Sequence, residues 1–136
     1  MRLDLPPAFF LGAYVRLAQL GGVGLFVLGA GASLTSPILV PTAPTYGIAQ
    51  AAVGFVLWIV HLLWERRLPS SEYDSFLRRA QLLLGALAFL AGAAVFIPLA
   101  VARAASGASA LGETTVGALS LVLVFLFGRG LARELR

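Results

Sequence analysis

The chain of 136 residues contains no cysteine, no lysine and no asparagine, and only one histidine. The absence of cysteine excludes disulfide bonds and thiolate metal sites. Charged residues make up only 12% of the chain and hydrophobic residues 60%, and the mean hydropathy is +0.93. Soluble globular domains carry about twice this share of charge. The composition therefore predicts an integral membrane protein with one membrane domain, residues 1–136.

Signatures of catalysis are missing as well. The sequence holds no hydrolytic triad, no paired carboxylates, no glycine-rich phosphate loop and no cluster of metal ligands. We therefore expect a non-enzymatic protein without a metal site. The isoelectric point near 10.7 is also found in nucleic-acid-binding domains. Here the arginines cluster at the ends of apolar runs rather than along one soluble face, so nucleic-acid binding is not expected.

Four apolar runs follow one another along the chain, at 17–34, 46–63, 80–101 and 111–127. Each comes close to the roughly 20 residues that a helix needs to cross a bilayer. The sequence therefore predicts an all-α fold of four transmembrane helices. The segment 33–47 carries three prolines and no charge, which predicts an extended outer connection.

Local signals predict several helix ends. The prolines at 6–7 suit the first turn of the first helix. Ser71 and Asp74 have the S-x-x-D spacing of a capping box, which predicts a third helix beginning near Glu72. Pro98 predicts its end. The last span is expected to begin between residues 106 and 114 and to end at Phe127.

The distribution of arginine predicts the orientation. Nine of the ten arginines precede the first run, lie in the central segment 64–81, or follow the last run, and Arg103 is the exception. The positive-inside rule makes the arginine-rich side cytoplasmic. We therefore expect both termini and the central loop in the cytoplasm, with the chain in a prokaryotic inner or plasma membrane.

The two halves match after a shift of 62 or 63 residues. The matching segments are Leu5-Pro6 with Leu68-Pro69, RLAQL at 16–20 with RRAQL at 78–82, Gln50 with Glu113, and Val53-Gly54 with Val116-Gly117. This pattern predicts two tandem helical hairpins, residues 5–67 and 68–130. Since each hairpin begins on the same side, the repeats are parallel and their pseudo-two-fold axis follows the membrane normal.

Two pairs of polar residues recur in the repeats. Arg16 with Gln19, and Arg78 with Gln81, are spaced i and i+3, so each pair occupies one helix face. Together they are candidates for gripping an anionic headgroup or substrate from the cytoplasmic side. The alternative is structural: arginines that reach the interface and glutamines that bond a neighbouring helix.

Three further polar residues lie within or beside the spans. Glu113 and its counterpart Gln50 form a candidate intramembrane polar site, with Arg103 as the nearest candidate cation. Alternatively, Glu113 lies in the first turn of the last helix at the outer surface. His61 is a candidate haem ligand that would need a second axial ligand from elsewhere, or else it packs at the interface.

Glycine marks the first and third spans, and small residues let helices approach closely in lipid. The favoured function is a non-enzymatic subunit or assembly component, a compact four-helix bundle that contacts lipids and packs as a homo-oligomer or within a larger complex. The alternatives are a small transporter or channel with its path at the repeat interface, and a redox subunit that binds haem through His61. A polar cavity reaching the membrane midplane between the repeats would favour transport, and a dry, glycine-packed interface would favour the subunit.

Overall fold

The structure is a computed structural model that describes residues 5–34 and 44–136. Its helices are α1 (Pro7–Ser33), α2 (Pro44–Glu65), α3 (Asp74–Ala105) and α4 (Leu111–Glu134). All four are long and apolar enough to cross a membrane. The predictions of an all-α fold and of four candidate spans are therefore confirmed. Most of the predicted outer connection, residues 35–43, lies outside the described residues.

The predicted helix starts agree with the structure to within two residues. α1 begins at Pro7. Proline has no amide hydrogen, and the first turn of a helix does not use one, so proline suits this position. α3 begins at Asp74, whose carboxylate accepts a 2.8 Å hydrogen bond from the backbone N–H of Ser71. The residue before the helix is Tyr73, whose side chain makes no cap hydrogen bond, so the Ser71–Asp74 bond closes the turn that precedes α3 and is not a capping box. α4 begins at Leu111, inside the predicted window, but it continues past Phe127 to Glu134.

The prediction that α3 ends at Pro98 is wrong, since the helix continues to Ala105. Proline removes one hydrogen bond, yet a spanning segment has no water to bond its other backbone groups. The residues from Leu99 to Ala105 are apolar apart from Arg103 and include four alanines, so continuing the helix satisfies their backbone most easily. The chain turns only at Gly107, where a φ of 78° favours glycine.

The two hairpins pack differently. Backbone meets backbone between α1 and α2: a Cβ placed on Gly22 would lie 2.7 Å from the backbone nitrogen of Trp58. In the second hairpin Gly85, 63 residues after Gly22, instead faces the ring of Phe127. The position 63 residues after Trp58 is Leu121, so α3 and α4 pair in a shifted register.

The helices do not form a closed bundle. α1 lies against α2, α3 and α4, whereas the backbone of α2 lies close to α1 alone. The core is formed by Val27, Phe89 and Val116 from α1, α3 and α4. The close glycine contact keeps α2 beside α1, outside this core. An open groove between α2 and α4 results, in contrast to the compact bundle expected from the sequence.

The beginnings of α1 and α3 and the ends of α2 and α4 lie at one end of the molecule, which we call the arginine-rich end. A ring contact between Phe9 and Tyr73 joins the starts of α1 and α3. Ion pairs between Arg78 and Glu134 and between α1 and Glu65 add the ends of α4 and α2. Among the described residues this end carries eight arginines and four acids, a net charge of +4. They are Arg16, Arg66, Arg67, Arg78, Arg79, Arg129, Arg133 and Arg136, with Glu65, Glu72, Asp74 and Glu134.

Candidate functional site

Arg16 is the centre of a polar network at the arginine-rich end. It lies within α1 and is only 7% exposed. Its Nη2 lies 3.1 Å from a carboxylate oxygen of Glu65 and 3.7 Å from one of Asp74. Nη1 donates to the carbonyl of Gly12 at 3.4 Å. A buried guanidinium is stable only with such compensation, so Arg16 ties the end of α2 and the start of α3 to α1.

Gln19 and Gln81 meet directly beside this arginine. The amide nitrogen of Gln81 donates to the side-chain oxygen of Gln19 at 3.0 Å. The nitrogen of Gln19 in turn donates to Glu65 at 2.6 Å and to the backbone carbonyl of His61 at 3.3 Å. One chain of hydrogen bonds therefore crosses from α3 through α1 to α2. Such bonds help to hold helices together where water is scarce.

A cavity of about 480 Å³ opens beside the network, between the two hairpins. It is lined by polar and apolar side chains: Gln19, Leu20, Val23, Trp58, Leu62, Glu65, Arg66, Arg78, Gln81, Leu82 and Phe127. Of the predicted anion-binding residues, Gln19, Gln81 and Arg78 line this cavity. Arg16 does not, because it lies on the other side of Glu65, beside a separate cavity of about 320 Å³.

The Arg78 side chain is well placed to contact a ligand. Its side chain is 63% exposed and its Nε forms a 3.0 Å ion pair with Glu134. An exposed ion pair contributes little net stability, so it can exchange partners readily. Arg66 also lines the cavity and forms no ion pair within the described part of the chain. These two arginines give the cavity its positive character.

An apolar groove of about 230 Å³ lies next to the cavity, between α2 and α4. Val23 and Trp58 line both spaces. The other groove residues are Phe26, Val27, Phe55, Leu119, Val122 and Leu123. The polarity therefore changes along the gap between the hairpins, from charged at the arginine-rich end to wholly apolar further along the helices.

His61 is buried at 5% exposure, and both of its ring nitrogens have partners. Nδ1 lies 2.8 Å from the carbonyl oxygen of Leu57, which can only accept, so Nδ1 carries the hydrogen. Nε2 then accepts from the hydroxyl of Tyr14 at 3.3 Å. The ring packs against those of Tyr14 and Trp64. His61 is therefore packed among aromatic side chains of α1 and α2.

Glu113 lies at the opposite end of the molecule, in the first turn of α4, and is fully buried. Its Oε1 lies 3.3 Å from Nε of Arg103, in the last turn of α3. The expected ion pair with Arg103 is therefore present, and Glu113 lies in the first turn of the last helix, as one of the two alternatives from the sequence has it. Gln50 lies on α2, which is not adjacent to α4. The structure does not bring Gln50 and Glu113 together.

Sequence reasoning missed Glu65, which joins Arg16 to Gln19. The one available signal was its place at the end of α2, where hairpin pairing sets it near the start of α1. It also missed Asp74 as a partner of Arg16.

At the start of α3, a hydrogen bond to Glu72 raises the pKa of the Tyr73 hydroxyl.

The described site combines arginine and glutamine side chains with an adjacent apolar groove. Across the described ranges, 5–34 and 44–136, no three His, Asp or Glu side chains are grouped to hold a metal ion. No family model matches the chain, and no curated protein or solved structure is significantly similar to it.

Proposed function

We propose that this protein is a non-enzymatic component of a membrane complex, a subunit or assembly factor that works by helix packing. The observation that best supports this role is the polar network at the arginine-rich end. Arg16, Gln19 and Gln81 use their polar atoms to join α1, α2 and α3. The backbone contact between α1 and α2 further stiffens the first hairpin. A small, rigid, apolar framework suits packing against copies of itself or larger chains.

Purification in mild detergent, followed by mass determination of the intact particle, tests this role. We expect a homo-oligomer or a defined complex with other membrane chains. A double variant, Gln19→Leu with Gln81→Leu, should loosen the helix junction and release those partners. Gln50→Leu is the control, because it makes one such change away from the network. A monodisperse wild-type monomer that carries no other chain would contradict the proposal.

We also propose that residues 5–67 and 68–130 are tandem copies of one hairpin, related by an axis along the membrane normal. The contact between Gln19 and Gln81 supports this relation, since equivalent residues meet where a two-fold axis passes between them. The shifted register of the second hairpin then reflects divergence after duplication. An experimental structure in which the hairpins are related by an inverted axis would remove the proposal.

For the orientation, we propose that both termini and the arginine-rich end face the cytoplasm of a prokaryotic cell. The net charge of +4 at that end supports this. Because the chain has no cysteine, single Ser70→Cys and Ser106→Cys variants give clean labelling sites. A membrane-impermeant thiol reagent added to intact cells should modify only position 106. Labelling of position 70 alone would reverse the orientation.

A second candidate function is transport, which the 480 Å³ cavity between the hairpins favours. Its polar side chains lie at the arginine-rich end, and the buried Glu113 lies at the other. A proton-coupled transporter would need that carboxylate. Wild type and Glu113→Gln are therefore compared in proteoliposomes across a pH gradient. If wild type transports and Glu113→Gln does not, the result would support transport as the function. Equal transport rates for the two proteins would exclude a role for Glu113.

A redox role for His61 is the third candidate from the sequence. Iron binding at Nε2 would have to displace the Tyr14 hydroxyl, and a second axial ligand would have to come from another chain or from Met1. The visible spectrum of the protein purified from its membrane decides this. A haem absorption band lost in His61→Phe would support the role, and a colourless protein would exclude it.

A further inference from the structure

The gap between the two hairpins combines a charged cavity with an apolar groove. Both spaces share Val23 and Trp58 as lining residues, so they are neighbours along the same gap. The cavity volume of about 480 Å³ lies in the usual range for small-molecule sites. The groove exposes no polar surface. A molecule that fits both spaces must have a charged head and an apolar tail.

The charge of the cavity is set by its arginines. Arg66 has no ion pair within the described residues, and Arg78 holds an exposed one. The single acid in the lining, Glu65, is already engaged by Arg16 and Gln19. An anionic head is therefore attracted, whereas a cation finds no free carboxylate there. The surrounding arginine-rich end has a net charge of +4 and attracts an anionic leaflet in the same way.

We propose that this gap binds one anionic phospholipid, with its phosphate against Arg66 and Arg78 and an acyl chain in the groove between α2 and α4. The adjacent apolar groove favours a lipid over a soluble phosphate, which would leave the groove unused. The position of α2, beside α1 alone, keeps the groove open to the bilayer. The site differs from the pairs predicted from the sequence, since Arg66 takes the place of Arg16. It is also independent of the proposed subunit role.

Trp58 provides a direct reporter, because it lies where the head and tail regions join. The chain has two tryptophans, so Trp64→Phe leaves Trp58 as the only one. The full-length protein is placed in phosphatidylcholine nanodiscs that contain phosphatidylglycerol with brominated acyl chains. We expect this lipid to quench Trp58 at a lower mole fraction than brominated phosphatidylcholine does. Equal quenching by the two lipids would show only bulk lipid contact and overturn the proposal.

A matched pair of arginine variants tests the head of the site. Arg66→Gln should reduce the preference for phosphatidylglycerol by about fivefold. This factor corresponds to the attraction of one basic residue to an anionic membrane surface. Arg67→Gln makes the same charge change at a neighbour that does not line the cavity, and it should have little effect. Equal effects of the two variants would overturn the proposal.

A second pair tests the tail. Val122→Phe should narrow the groove and weaken quenching, whereas Leu121→Phe should not, because only Val122 lines the groove. Both positions are about half exposed, so both variants should fold. Excess glycerol phosphate should leave Trp58 quenched. Recovery of fluorescence with glycerol phosphate would assign the cavity to a soluble anion and overturn the assignment to a lipid.

Discussion

Replacement of Gly22 by alanine is the strongest test of the packing in the first hairpin. The added Cβ would lie 2.7 Å from the backbone nitrogen of Trp58 and 2.8 Å from the carbonyl oxygen of Gly54. Both atoms belong to the backbone of α2 and cannot rotate away. Since ordinary contact begins near 3.4 Å, α1 and α2 must separate by about 0.7 Å. A gap of that size forfeits roughly a quarter to a half of each contact's dispersion energy.

The neighbouring residue isolates this packing effect. A Cβ on Gly21 meets nothing within 4 Å. Each glycine-to-alanine change favours the helix by roughly 0.5–1 kcal/mol, and this gain cancels when the two variants are compared. Overpacking costs about 1–3 kcal/mol, and a backbone clash should fall in the upper half of that range. We therefore expect Gly22→Ala to be about 2–3 kcal/mol less stable than Gly21→Ala.

Reversible unfolding in mixed micelles, with a denaturing detergent as the variable and circular dichroism as the signal, measures both variants under the same conditions. The free energy of unfolding should fall for Gly22→Ala and should hold or rise for Gly21→Ala. A difference below about 0.5 kcal/mol, within the usual effect of a surface substitution, would show that the backbones of α1 and α2 are not in close contact at Gly22.

The same unfolding assay checks the remaining predictions. A double-mutant cycle of Gln19→Leu and Gln81→Leu should give a coupling energy of roughly 0.6 kcal/mol, typical of hydrogen bonds between membrane helices, and no coupling would contradict the contact. Arg103→Gln should destabilise the protein more than Glu113→Gln, because the Glu113 side chain is fully buried while the Arg103 side chain is 24% exposed; the reverse order would contradict this. Gly85→Ala should lower the free energy of unfolding by at most about 1 kcal/mol, since the ring of Phe127 opposite can rotate. A loss as large as that of Gly22→Ala would indicate a rigid contact instead.

The sequence determined the number and approximate extent of the helices. Hydrophobic length alone sets how many segments can cross a bilayer, and proline and the spacing of Ser71 and Asp74 indicated the starts of α1 and α3 to within two residues. Spacing along a helix also placed Arg16 and Gln19 on one face, since i and i+3 always share a side. These conclusions depend only on chain geometry and on transfer from water to lipid.

Only the tertiary structure decided which faces meet. In a membrane, the lipid-facing and buried sides of a helix are both apolar, so hydrophobic periodicity does not distinguish them. For this reason the sequence predicted neither the contact between Gln19 and Gln81 nor the partners of Arg16. The same applies to the place of α2, because close backbone approach at Gly22 fixes it beside α1. The cavity and the groove follow from that position, which arises from packing between distant parts of the chain and not from any local pattern.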